Sequence, residues 1–397
     1  MQLSHRAKAI KSSPTLAVMA LAQRMMAEGK PVINFGVGEP DFCTPTAVKE
    51  AAKRAIDENF THYTPSEGIK ELRDAISQKL KRDNGLICRP QDILVSPGAK
   101  ASIIHVLMAV CDPQDEVLIP SPYWVSYTSQ VELVDAFPIL LPTTIKSGFK
   151  ITAEQLEEKI NSLSNPKVLI LNSPNNPTGV IYSREELEKI AEVCVKHNIL
   201  ILSDEIYEKL IYDGREHVSI ASISDEVKNM TVLVNGVSKA YAMTGWRLGY
   251  CAGPTEVIRR AACIQGHTTS CVNSITQKVA ITALLHCEDA VVEMRQQFEK
   301  RRNFIVEMLN NIPHISCIPP QGAFYVMPDI SYYLKHNNRN ISSSKDLCEY
   351  LVSNFHVAIV PGLAFGADEY VRFSFATSMD NIRKGMEQFR EGLENLF

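Results

Sequence analysis

Short apolar, β-branched runs recur through the middle of this chain, at residues 92–98, 116–120, 167–172, 199–204, 231–235 and 247–252. Apolar runs of this length suit strands that are covered on both faces. A helical pattern over 99–110 follows the first run directly. Another begins at Ser183-Arg-Glu-Glu, where Ser183 and Glu186 form a capping-box pattern. Strand–helix–strand repetition predicts an α/β fold with a mostly parallel sheet wrapped by helices. Past about residue 285 the texture changes to a long charged amphipathic helix over 290–311. Strand candidates then follow at 323–327, 357–360 and 370–375, with helices around 344–355 and 379–395. That mixture predicts a smaller α+β domain, and the first forty or so residues are expected to pack with it. The expected division is therefore 1–44 as an N-terminal arm and part of the small domain, 45–285 as the large domain, and 286–397 as the small C-terminal domain.

A chain of 397 residues is long enough for two such domains. Its 41 basic and 45 acidic residues leave a net charge of −4, and no basic cluster is interleaved with aromatics, so neither nucleic acid nor a membrane surface is an expected partner. No apolar run approaches the length of a membrane span, and the first residues lack the apolar core of a secretory signal; a cytoplasmic location is expected. The ten cysteines include no C-x-x-C pair and no zinc-finger spacing. No metal is expected, and the cysteines read as small core hydrophobes.

Several polar residues stand where apolar neighbours make them expensive. Lys239, in Ser238-Lys239-Ala-Tyr-Ala-Met-Thr-Gly-Trp-Arg247, follows an apolar run. It could be an ordinary surface charge, but Ser238 offers a hydroxyl and Arg247 a fork for a phosphate dianion, while Gly236 and Gly245 allow close backbone packing. A lysine that must react as an amine needs a depressed pKa, which desolvation and a neighbouring cation supply. Asp204 closes the run Ile-Leu-Ile-Leu-Ser-Asp. It is either a helix cap or structural ion pair, or the partner of a protonated ring nitrogen, with Tyr207 three residues on as a hydrogen-bond donor. Asn176, in Ser-Pro-Asn-Asn176-Pro-Thr-Gly, is either a turn residue or a ligand at a strand's C-terminal end. Ala99 and Lys100 open a helix, a ready seat for phosphate. Trp124 is core packing or a platform for a planar ring, and Arg372 is half of a structural ion pair or a fork for a carboxylate. Gly36-Val-Gly38 fails the dinucleotide fingerprint, and there is no P-loop.

Together these motifs resemble the class I aminotransferases of pyridoxal 5'-phosphate (PLP) fold type I. The resemblance runs in order over nearly the whole chain: Gly38-Glu-Pro-Asp41, Tyr63, Ser121-Pro-Tyr-Trp124, Asn175-Asn176-Pro-Thr-Gly, Ser203-Asp204-Glu-Ile-Tyr207, Ser238-Lys239 with Arg247, and Arg372. It implies that Lys239 carries PLP covalently and acts as the catalytic base, that Asp204 pairs with the ring nitrogen, and that Tyr207 and Asn176 contact the ring oxygen. Trp124 would stack on the ring. Ala99, Lys100, Ser238 and Arg247 would hold the phosphate, joined by Tyr63 from the neighbouring subunit of a homodimer with shared sites. Gly38 and Arg372 would bind the substrate's α-carboxylate, with Trp124 and Asn176 beside it.

The stretch 265–273 has no arginine of the kind that animal and enteric aspartate aminotransferases use for the side-chain carboxylate. With Ser-Pro-Thr15 and Gly-Ala-Lys100, it is similar instead to the prokaryotic and plant-type aspartate/prephenate aminotransferases. In that subgroup Thr15 and Lys100 would read the distal carboxylate, although Gly-Ala-Lys-Ala departs from the usual Gly-Gly-Lys-Gln. The implied reaction is ping-pong transfer of the amino group of aspartate to 2-oxoglutarate, with prephenate as a further acceptor. The alternatives are an aminotransferase for aromatic or other neutral amino acids, a PLP-dependent C–S lyase, and a non-catalytic regulator of the same fold.

Overall fold

The computed structural model describes residues 2–4, 7–8 and 14–397, and of residues 14–17 only the backbone. Strand β1 (Ile33–Asn34) joins the terminal part of the molecule. Strands β2 (Ile93–Ser96), β3 (Glu116–Ser121), β4 (Phe137–Pro142), β5 (Pro166–Asn172), β6 (Leu200–Asp204), β7 (Thr231–Gly236) and β8 (Gly249–Ala252) form one seven-stranded sheet in the order β2-β8-β7-β6-β5-β3-β4. Because neighbouring residues of a strand point to opposite faces, each apolar run feeds two cores at once. Val117, Ile119, Val168 and Ile170 pack on one face against Ile103, Val106 and Leu107 of the helix Ala99–Val110. On the other face Leu118, Leu169, Leu171 and Ile201 meet Leu187, Ile190 and Ala191 of the helix Arg184–Lys196. The Ser183 hydroxyl caps that second helix by accepting from the Glu186 N–H.

The sheet is mixed. Strand β8 runs antiparallel to both of its neighbours, while the remaining pairs are parallel. The chain between β7 and β8 holds only a single 3-10 turn, Thr244–Trp246, so no crossover helix carries it back to the far edge of the sheet. Strand β4 was not expected from the sequence. Its Phe-Pro-Ile-Leu-Leu-Pro carries two prolines, which weaken a strand pattern, but β4 is an edge strand, where a missing N–H is tolerated.

The smaller part draws on both termini. Strands β9 (Tyr325–Val326), β10 (Val357–Ala358), β11 (Val360–Pro361) and β12 (Val371–Ser374) follow the long helix Glu288–Asn310, and β1 pairs in parallel with β10. The run expected as one strand over 357–360 divides at Ile359, since β10 serves β1 and β11 serves β12. Phe35, Phe298, Phe324, Phe373 and Phe389 are buried in its core. Cysteines fit the expected core role only in part. Cys194, Cys251, Cys287 and Cys348 are buried, but Cys43 and Cys263 are exposed and the others half-buried. Among the described residues no helix is long and apolar enough to cross a membrane.

Candidate active site

The parallel strands end along one edge of the sheet, and the residues just past those ends line a cavity of ≈ 390 Å3. Strand β6 delivers Asp204, and the turn after it brings Tyr207 to the same wall. Strand β5 ends at Asn172, whose Nδ2 donates to the Asp204 carbonyl (2.8 Å) and whose Oδ1 accepts from the Asn176 N–H (2.8 Å), fixing the Asn176 loop against the end of β6. The loop after β7 brings Ser238 and Lys239, β12 brings Arg372, and the segment after β1 brings Gly38. Trp124 enters from the end of β3. Ala99 and Lys100 begin the helix Ala99–Val110 behind Gly98, whose φ of +89° suits glycine.

Charges in this cavity lack their usual partners. The Lys239 Nζ donates to the Gly38 carbonyl at 2.6 Å. Burial lowers its pKa to about 8; Arg247 and Arg372 add to that effect, and Glu39 opposes it. Asp204 is buried, which raises its pKa to about 6, against the hydrogen bonds it accepts from the Tyr127 hydroxyl (2.6 Å) and the Ile206 N–H (3.2 Å). Neither it nor Arg372 has an ion-pair partner among the described residues. Arg372 donates to Asn176 Oδ1 (3.1 Å) and the Gly36 carbonyl (2.9 Å), its Nε is buried without a partner, and its guanidinium lies 4.3 Å from the Tyr325 ring centroid. Among the described residues Arg247 donates only to the carbonyls of Thr244 (3.0 Å) and Pro97 (3.4 Å). A Cβ on Gly98 would stand 2.5 Å from Arg247 Nη2, so the glycine leaves room for this guanidinium at a helix N-terminus. Lys100 is at the rim, its Nζ 4.9 Å from the Trp124 ring centroid. Burial, then Arg247, lowers its pKa.

These features fit one kind of guest: a planar molecule with a dianion for Arg247 and the helix N-terminus, a cationic atom for Asp204, and an electrophilic carbon for Lys239. A carboxylate for Arg372 completes the set. PLP bound with an amino acid has those groups, so the residues present fit it.

Gly38, Ala99, Lys100 and Trp124 line the cavity. So do Asn176, Asp204, Tyr207 and Ser238, and with them Lys239, Arg247 and Arg372. Tyr63 does not line the cavity of its own chain; it is 92% exposed. Thr15 lies outside the residues whose side chains are described. The close packing expected at Gly245 is not found, as a Cβ there would meet nothing within 4 Å, whereas at Gly236 it would meet the Gly249 Cα at 2.9 Å. The structural ion pair considered for Arg372 is likewise not observed among the described residues. Sequence reasoning missed Tyr127, Tyr325, Asn172 and Met19, which also line the cavity. Tyr325, whose hydroxyl meets that of Tyr207 at 3.0 Å, was read only as part of a strand.

A mixed seven-stranded sheet wrapped by helices, with its cavity at the strand ends and a smaller part drawn from both termini, defines a fold type I PLP-dependent transferase. The family described as aminotransferase class I and II matches residues 30–389, and the chain belongs to that family. Membership implies aminotransferase activity and use of PLP. A probable aspartate/prephenate aminotransferase of Aquifex aeolicus is 44% identical over 396 residues, 99% of each chain. The crystal structure of an aspartate aminotransferase from Rhizobium meliloti superposes with a TM-score of 0.96 at 41% identity, covering 100% of both chains. An aspartate aminotransferase from Thermus thermophilus, solved with maleate, gives 0.92 at 38% identity, covering 99% of this chain and 100% of that one.

Proposed function

We propose that this protein transfers the amino group of aspartate to 2-oxoglutarate, with prephenate as a further acceptor, in ping-pong order. The observation that carries the reading is the set of groups in one cavity that are unmatched among the described residues: the Lys239 amine, the Asp204 carboxylate, and two guanidiniums without carboxylates. The names of the similar enzymes, together with a complex with maleate, a dicarboxylate, support the substrate class.

In this reading Lys239 holds PLP covalently and Asp204 pairs with its ring nitrogen. Tyr207 and Asn176 face the ring oxygen and Trp124 the ring, while Ala99, Lys100, Ser238 and Arg247 hold the phosphate. Bound there, the cofactor supplies an electron-poor ring that stabilises negative charge on the substrate's α-carbon. Arg372 and Gly38 bind the α-carboxylate and set the α-hydrogen toward Lys239. Burial lowers the pKa of the free Lys239 amine to about 8, so once the substrate's amine has taken its place on the cofactor, Lys239 Nζ would be neutral in an appreciable fraction at physiological pH and could take the α-proton and later return it. Thr15 and Lys100 read the distal carboxylate. Tyr63 serves the site of the second subunit in a cytoplasmic homodimer, and the chain divides at residues 44 and 285.

Turnover on aspartate with 2-oxoglutarate, set against tyrosine and alanine, tests the proposal. Aspartate is expected to be the best donor and to bleach the visible absorption of the loaded enzyme. A preference for tyrosine would replace the substrate assignment with an aromatic one, and release of pyruvate and ammonia without an acceptor would replace the reaction with a lyase.

A further inference from the structure

Asp204 is gripped by a residue that the proposed mechanism leaves unused. Tyr127 lies in the first turn of the helix Ser126–Leu133, its ring is 2% exposed, and its hydroxyl donates to Asp204 Oδ2 at 2.6 Å. The other carboxylate oxygen accepts from the Ile206 N–H. The Tyr127 ring also meets the Trp124 ring edge-on, with centroids 5.3 Å apart. One short segment after β3 therefore carries both the indole at the cavity wall and the hydroxyl on the buried carboxylate.

Asp204 faces competing influences. Burial favours its neutral form and the Glu205 carboxylate adds to that, while the Tyr127 hydroxyl, the Ile206 N–H and the Lys239 ammonium favour the ionised form; Tyr207 also faces it. Of these side chains only Tyr127 is in hydrogen-bond contact with the carboxylate among the described residues. A hydrogen bond to the charged form selects that form and also fixes its rotamer.

We propose that Tyr127 is a positioning residue for the cofactor, orienting Asp204 and holding it ionised so that the ring nitrogen meets an anion rather than a neutral acid. This inference rests on the reading of Asp204 as the ring nitrogen's partner.

The test is the affinity of the apoenzyme for PLP across pH, for wild type, Tyr127→Phe and Asp204→Asn. Tyr127→Phe removes one oxygen and keeps the packed ring. Its dissociation constant for PLP is expected to rise by roughly tenfold at neutral pH. Losing the hydrogen bond raises the Asp204 pKa, so the acid limb of binding should move to higher pH and the deficit should shrink in alkali. Asp204→Asn should bind PLP more weakly than either at every pH where Asp204 is ionised. If Asp204→Asn is impaired and Tyr127→Phe matches wild type throughout, the role of Tyr127 is refuted and that of Asp204 stands. A loss in Tyr127→Phe that is uniform in pH also refutes it, because a packing defect has no acid limb to move. Wild-type affinity in Asp204→Asn would instead overturn the underlying reading of Asp204.

Discussion

A lysine amine is useful near neutral pH only if something strips its proton, and at Lys239 burial is the largest cause. With a pKa of about 8, roughly a tenth of it is neutral at pH 7, against far less than one per cent for an ordinary lysine. Labelling of the apoprotein at Lys239 by an amine-selective reagent should therefore show a midpoint near pH 8; a midpoint near pH 10 would contradict the site's electrostatics. At the other end of the cavity, Arg372→Ala should lower kcat/KM for every amino acid by roughly a hundredfold or more, as a buried charge-assisted pair is worth about 3 kcal/mol. Lys100→Ala should harm aspartate far more than alanine, and equal losses would remove Lys100 from substrate recognition. Asp204 and Arg372 were legible in the sequence because a charge inside an apolar run is costly and calls for a partner. Tyr127, among polar neighbours in Ser-Tyr-Thr-Ser-Gln, and Tyr325, within an apolar run, were not, since neither setting marks a tyrosine as more than packing; only the fold shows where each hydroxyl ends.

The element that organises the site is the turn after β6, and it faces two ways. Asp204 and Tyr207 point into the cavity, whereas Glu205 and Glu208 point into a buried polar cluster behind it. There Lys79 contacts Glu208. Asn84 Nδ2 donates to Glu208 Oε2 at 2.7 Å, the Ser203 and Ser219 hydroxyls donate to Glu205 (2.8 Å each), and His217 Nε2 lies 2.7 Å from Glu205 Oε2. Glu208→Gln would leave the buried Lys79 ammonium with a longer contact to Asp83 (3.8 Å) and its hydrogen bond to Asn84 Oδ1 (2.8 Å), and should cost about 3 kcal/mol of stability, read by denaturant unfolding. Burial would raise the Glu208 pKa, but Lys79 and His217 outweigh it and lower it. Its contribution is thus present above the unfolded carboxylate pKa and lost as pH falls through the folded value. Burial would lower the His217 pKa, but Glu205 outweighs it and raises it. That contribution is full below the unfolded imidazole pKa and is lost as pH rises through the folded value. The stability gap between wild type and His217→Gln should therefore narrow as pH rises above the unfolded imidazole value of about 6.5, and a gap that widens would contradict this. Strands covered on both faces, such as β5 and β6, were legible as apolar runs. The reversal of β8 and the edge strand β4 were not, because strand direction follows from the connection and a proline-rich edge hides a strand signal.

Across the whole molecule, residues from far-apart stretches of the chain converge because parallel strands bring their ends to one edge while the termini close over it. The alternation of strands and helices made that architecture legible, but it could not say whether a second subunit adds to the site. Tyr63 is exposed and does not line its own chain's cavity, as the shared-site proposal requires. Mixing Tyr63→Ala and Lys239→Ala homodimers under conditions of subunit exchange should give more activity than the two alone, since each mixed dimer carries one undamaged site; no gain despite exchange would refute a shared site. The proposed chemistry turns on one covalent bond. Borohydride reduction of the PLP-loaded enzyme, followed by peptide mass spectrometry, should find the pyridoxyl label on Lys239. A label on any other side chain, or none in a protein that has bound PLP, would contradict it.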